Sequence, residues 1–168
     1  PRPGQTIESN TFSMAAKVEK WGGEAILYPI LPDDPAALQR QLLEAVEAAD
    51  LVVISGGSGR GQHDVLQQSL AAIGTLHFSD VEHGPGKRTC FCVIEGKPVV
   101  GLVGPPGGEE MTFDFYVLPA LLSCLGQRVR PTVMAAVLDE DIPPHVRVNF
   151  YYSLWMYWDE AGQCYRAR

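Results

Sequence analysis

The residues best suited to chemistry sit in and beside three glycine-rich stretches. The first, Ser55-Gly56-Gly57-Ser58-Gly59-Arg60-Gly61-Gln62-His63-Asp64, follows the apolar run Leu51-Val52-Val53-Ile54. A short buried strand, a glycine turn and a helix start, in that order, build an anion-binding edge. The glycines let the main chain come close to a ligand, and unpaired N–H groups together with the helix dipole favour negative charge. The second stretch is His83-Gly84-Pro85-Gly86-Lys87-Arg88 and the third Gly104-Pro105-Pro106-Gly107-Gly108. Lys87 and Arg88 on such a loop are either solvated charges or anion ligands. Asp64 and His63 at a helix start either answer the dipole alone or belong to a site. Asp33-Asp34 ahead of Pro35 reads as a helix cap in preference to a metal site. The chain has no GxxxxGK[ST] pattern, so a nucleotide P-loop is not supported.

The elements that must hold these stretches follow from periodicity. Met14, Val18 and Trp21 form one helical stripe after a cap at Ser9 or Asn10, ended by Gly22-Gly23. Residues 24–30 (EAILYPI) read as a strand of the buried kind, and Leu38, Leu42, Ala45, Val46 and Ala49 as a second amphipathic helix beginning at Pro35. Val65, Leu66, Ser69, Leu70 and Ile73 line a third helix, and residues 76–81 a further strand. Residues 89–94 and 98–103 read as two strands joined by a short hairpin signal, Glu95-Gly96-Lys97. Residues 109–125 read as a helix apolar nearly all round, bent at Pro119. Alternating strands and helices predict a three-layer αβα fold with a mostly parallel sheet, and ligands in such sheets sit at the carboxyl ends of the strands. All three loops follow strands and are expected to converge on one edge. After Gly126 the texture turns to β: residues 132–138 and 147–158 are strand-like, with a turn at 159–162. The expected division is an α/β domain over residues 1–128 and the start of a β domain over 129–168.

Composition bounds the partners. Of 168 residues 46% are hydrophobic, enough for a full core, and 13 Lys and Arg against 20 Asp and Glu leave a net charge of −7. That balance argues against a nucleic-acid binder, although a local nest of backbone N–H groups still holds an anion. No apolar run approaches the roughly 20 residues of a membrane span, and no signal peptide is visible. A chain that begins with Pro1 reads as a processed chain or an excised domain. Cys90 and Cys92, two apart, would share one face of a strand; with Cys124 and Cys164 they read as free, mostly buried thiols of a reducing compartment, the cytoplasm by default. The Trp155, Tyr157, Trp158 cluster reads as strand packing or an interface.

Four motifs, in order and at matching spacing, make residues from about 7 to 125 resemble the molybdopterin-binding domain of the molybdopterin molybdotransferase family. They are Glu8-Ser9-Asn10 before the first helix, Ile30-Leu31-Pro32-Asp33-Asp34-Pro35, the stretch from Ile54 to Asp64 against the family's ISGGxSxGxxD, and Gly101-Leu102-Val103-Gly104-Pro105-Pro106 against GLPGNPxS. The family's TFxxFVxPAL is met by Thr112-Phe113-Asp114-Phe115-Tyr116-Val117-Leu118-Pro119-Ala120-Leu121. The resemblance implies a protein of molybdenum cofactor biosynthesis that hydrolyses adenylylated molybdopterin and inserts molybdate into its dithiolene, with magnesium. It implies that Ser55, Gly56, Gly57 and Ser58 line the pterin phosphate or dithiolene region, that Asp64 is the catalytic acidic residue and binds the metal or molybdate, and that Lys87 and Gly104 also hold the ligand. It further implies a homodimer.

The chain also departs from the pattern. The acidic pair of GDxD becomes Gly61-Gln62-His63-Asp64, the first lysine of KPGKP gives way to His83-Gly84, and the asparagine and serine of GLPGNPxS become Pro105 and Gly108. The family's first strand, with its GDEL carboxylates, would precede Pro1. Arg60 adds a charge to the turn that suits an anion. Two functions therefore stand at this point: a molybdotransferase, or a non-catalytic module that holds a pterin cofactor or scaffolds a partner.

Overall fold

The computed structural model describes residues 2–4, 7–32, 34–56, 62–128, 130–143 and 149–168, apart from the side chains of residues 62–64. Helix α1 (Asn10–Lys20) buries Met14 and ends as the double glycine requires. Gly22 takes φ +91°, its N–H donates to Glu19 O at 3.0 Å and that of Gly23 to Val18 O at 3.0 Å, which closes a Schellman turn. Ser9 holds the cap position without a side-chain bond; the Thr11 N–H donates instead to the Glu8 carboxylate at 2.7 Å. Helix α2 (Pro35–Ala48) has Pro35 in its first turn, and Asp34 caps it by accepting from Ala37 N at 2.9 Å. Its far end is closed by Lys97, whose Nζ donates to Val46 O at 2.7 Å.

Strand β1 (Val52–Ser55) leads to α3 (Gln62–Ile73), followed by β2 (Thr75–Phe78), the short β3 (His83–Gly84), β4 (Cys90–Ile94) and β5 (Lys97–Leu102). Glu95 and Gly96, at φ +51° and +78°, make the two-residue hairpin turn whose twist suits adjacent strands. The central sheet runs β1-β5-β4-β2. Only β1 and β5 pair in parallel; β4–β5 and β2–β4 are antiparallel. The layered α/β class stands, but the mostly parallel sheet expected from alternation is a mixed one. Alternation divides its side chains between two cores. Cys90, Cys92, Ile94 and Val99 pack with Leu42, Val46, Leu66 and Leu70 of α2 and α3. Val100 and Leu102 pack with Met14 of α1 and with Phe113 and Val117.

The long apolar helix is three pieces: α4 (Pro106–Thr112), a π-helical turn (Phe113–Val117) and α5 (Leu118–Cys124). Pro119 has no N–H to donate, and the wide turn ahead of it absorbs the break without a stop. The helix is not apolar-buried all round: Phe115 and Leu125 are exposed, and Glu109 is buried. Residues 24–30 form no ladder; Ile26, Leu27 and Ile30 are 52%, 51% and 80% exposed. A continuous apolar run signals burial, but a strand also needs a neighbour, and among the described residues β1 pairs only with β5.

In the C-terminal stretch β6 (Val137–Leu138), β8 (Met156–Asp159) and β9 (Cys164–Ala167) form a sheet in the order β6-β9-β8. The expected strand at 147–158 is interrupted: β7 (Asn149–Phe150) leaves it to pair in parallel with β3.

Candidate ligand-binding rim

Because β1 runs parallel to β5 and β4 antiparallel to it, the end of β1, the end of β5 and the loop entering β4 lie on one rim of the sheet. Asn10, the first residue of α1, ties two of these together. Its Nδ2 donates to Ser55 Oγ at 2.7 Å and to Gly104 O at 2.8 Å. Gly56, at φ +97°, donates its N–H to Leu102 O at 3.2 Å, so the main chain turns away from β1 while still fastened to β5.

The loop after β2 joins the same rim. Val81 N donates to Lys87 O at 2.8 Å, and the Thr89 N–H and hydroxyl both donate to Gly86 O, at 3.0 and 2.7 Å. Gly86 sits at φ +104°, where a Cβ would collide with the Thr112 methyl of α4. Gly108 is also tightly placed: a Cβ there would lie 2.8 Å from Val103 Cγ2 and 3.5 Å from Pro85 Cβ. Between the two loops lies a hollow of about 200 Å³ lined by Pro85, Gly86, Lys87, Arg88, Val103, Pro105 and Gly108. Its lining is largely apolar and includes Lys87 and Arg88, whose side chains have no hydrogen-bond or ion-pair partner among the described residues. Such a site favours a flat or apolar group that carries negative charge at one end.

Of the residues singled out from sequence, Ser55, Gly56, Lys87 and Gly104 are on this rim. Gly57, Ser58 and Arg60 lie outside the described residues, as does the side chain of Asp64, whose main chain is in the first turn of α3. The sequence offers Asn10 as a helix cap and as part of a motif; its amide is instead the bridge between two loops. Sequence reasoning missed Glu109, which is 1% exposed with no partner for Oε1. Burial pushes that carboxyl's pKa up, against the pull of Lys17. Lys17 itself spans Asp114 Oδ1 at 3.2 Å and Glu110 O at 3.1 Å. Among the described residues no group of three or more His, Cys, Asp or Glu side chains could hold a metal ion.

A three-layer α/β domain with a cation-walled hollow on its strand-end rim is a small-molecule-binding domain. Residues 2–123 match the family described as "Probable molybdopterin binding domain", and the chain belongs to that family. It is 36% identical over 124 residues to the molybdopterin molybdenumtransferase of Nostoc sp., covering 71% of this chain and 28% of that one. With the molybdopterin molybdenumtransferase of Haemophilus influenzae it shares 30% identity over 163 residues, 95% of this chain and 40% of the relative. Two structures of the molybdopterin biosynthesis MoeA protein of Pyrococcus horikoshii superpose with TM-scores of 0.71 and 0.69, at 32% and 25% identity. They cover 82% and 98% of this chain and 34% and 37% of theirs. The chain thus spans well under half the length of these relatives.

Proposed function

We propose that the rim binds molybdopterin through its phosphate end, and that the chain is the ligand-binding part of a molybdotransferase inserting molybdate into adenylylated molybdopterin. The observation that carries the reading is the joining of loops 83–88 and 104–108 around a hollow with Lys87 and Arg88 on its wall, in a chain of this family. The two cations attract the phosphate and Pro85, Val103 and Pro105 offer an apolar floor to the ring. The glycine-rich sequence 56–61 is of the type that accepts an anion, and it is assigned the adenylate end. Asp64, in the first turn of α3, is assigned to the cation or molybdate. Magnesium, if bound, would be held by Asp64 together with the substrate's phosphates, since this ion needs only one or two protein carboxylates. Residues 1–128 act as the binding domain and 129–168 as the start of a β domain, in a homodimer that works in the cytoplasm.

Calorimetric titration with molybdopterin tests binding. Lys87→Ala should weaken it roughly tenfold, the worth of one charge-assisted contact. Equal affinity in parent and variant removes the loop from the site. Release of AMP from adenylylated molybdopterin in the presence of molybdate and magnesium tests turnover, and Asp64→Ala should abolish it. The second reading, a module that binds without turning over, is favoured by the loss of one carboxylate at Gln62; tight binding with no AMP release would establish it.

A further inference from the structure

We propose that the C-terminal segment carrying β7 and Tyr151 is a positioning element of the loop that holds Lys87 and Arg88, acting through His83 and Tyr116. The inference rests on the reading of that loop as an anion site. His83 is bonded at both ring nitrogens: Nδ1 lies 3.2 Å from Pro85 O, and Nε2 lies 2.7 Å from the Tyr116 hydroxyl. The arrangement is satisfied when Nδ1–H donates to Pro85 O and the Tyr116 O–H donates to Nε2. Rings surround the imidazole: Tyr116 lies nearly parallel to it, centroids 5.9 Å apart and planes at 7°, while Phe115 and Tyr151 meet it edge-on at 5.9 and 5.3 Å. Phe115 and Tyr151 also pack on each other at 5.0 Å.

Phe115 and Tyr116 belong to the π-helical turn, which brings two consecutive aromatic side chains to the same imidazole. The third ring comes from the C-terminal segment. Its β7 pairs with His83 and Gly84, and Tyr151 N donates to Gly84 O at 2.8 Å. Gly84 is buried, so withdrawal of Tyr151 leaves a carbonyl without its partner and strips one ring from His83. Gly84, Pro85, Gly86 and Lys87 are consecutive, and three of them line the hollow. The root of the two cations is therefore fixed from α4 below, from the π-helical turn at the side and from the C-terminal segment above. A bound anion selects the docked loop, the docked loop selects docked Tyr151, and by linkage each favours the other equally.

The test uses the whole chain and inorganic pyrophosphate as the probe. The parent, Lys87→Ala, Tyr116→Phe and Tyr151→Ala are titrated by calorimetry, and amide exchange at Tyr151 is followed with and without the probe. Tyr116→Phe keeps the stacked ring and loses only the hydroxyl. Both tyrosine variants should bind about five- to tenfold more weakly, the usual size of a coupling between sites. Exchange at Tyr151 should slow as the parent fills with probe, and in Lys87→Ala the same slowing should require about tenfold more probe, a response that a merely structural role would not give. If Lys87→Ala is weakened while both tyrosine variants bind like the parent and exchange ignores the probe, the coupling is wrong and the loop reading survives. If the parent does not bind, or Lys87→Ala binds like it, both fall. Should Tyr151→Ala fail to fold, Tyr116→Phe and the exchange measurement decide.

Discussion

Two polar side chains on this molecule do opposite things. Asn10 gives both amide hydrogens to acceptors on different loops, Ser55 Oγ and Gly104 O. Asn10→Ala should cost about 1–3 kcal/mol, since it removes two hydrogen bonds from a part-buried place. Asn10→Asp should cost more, because a carboxylate would face the Gly104 carbonyl. Urea unfolding of the three proteins at one pH checks the order. Glu109 is buried with an oxygen unpartnered, and its pKa lies above the ordinary 4.5. Below about pH 4.5 the carboxyl is neutral folded or unfolded and burial costs little. As pH rises through the raised native value the unfolded state has already released its proton, so stability falls. Glu109→Gln should raise the urea midpoint at pH 7 and flatten that decline; a parent-like pH profile in the variant would remove Glu109 as its source.

The elements differ in how far their own residues specify them. Gly86 is needed twice, for a φ of +104° and for the absence of a Cβ against Thr112. Gly86→Ala should destabilise the protein by about 1–3 kcal/mol through backbone strain and overpacking, and should weaken ligand binding by moving Lys87. Thermal unfolding and a pyrophosphate titration would register both. Local chemistry of this kind was readable in advance. Asp34-Pro35 starts α2, Gly22-Gly23 stops α1, and Glu95-Gly96 turns the β4–β5 hairpin, each within a few residues of its cause. The strand at 24–30 was not readable, because seven apolar-rich residues say nothing of whether a neighbour exists to pair with. Nor was the direction of β2 and β4, which alternation leaves open. The π-helical turn is visible in sequence only as Pro119, whose effect falls on the residues ahead of it. His83 looked like a lost lysine, and its partners Tyr116 and Tyr151 lie 33 and 68 positions away.

Over the whole molecule, an acidic chain keeps Lys87 and Arg88 together on its strand-end rim. The meeting of loops 83–88 and 104–108 on one rim was legible from their glycines and the rule of strand ends, while residues 57–61 of the first stretch lie outside those described; that these two share a hollow was not, since it depends on how closely Gly86 and Gly108 are packed. The C-terminal sheet is fastened by Asp139, which accepts from Arg166 Nε at 2.6 Å and from Tyr157 OH at 3.0 Å. Arg166 holds the Asp139 carboxyl below the ordinary 3.8. A depressed native value stabilises above the unfolded one and is lost as pH falls through it. Acid titration followed by the fluorescence of Trp155 and Trp158 should show this sheet loosening at low pH, and Asp139→Asn should abolish the acid-dependent part.

The outer side of β1, unpaired among the described residues, has a practical consequence. Four residues of strand backbone stand beside no neighbour among those described, and the stretch holding Ile26, Leu27 and Ile30 turns oily side chains outward. Strand edges of that sort are adhesive. Concentrated solutions should turn cloudy on standing and bind thioflavin, and Ile30→Lys should delay both without touching pyrophosphate affinity.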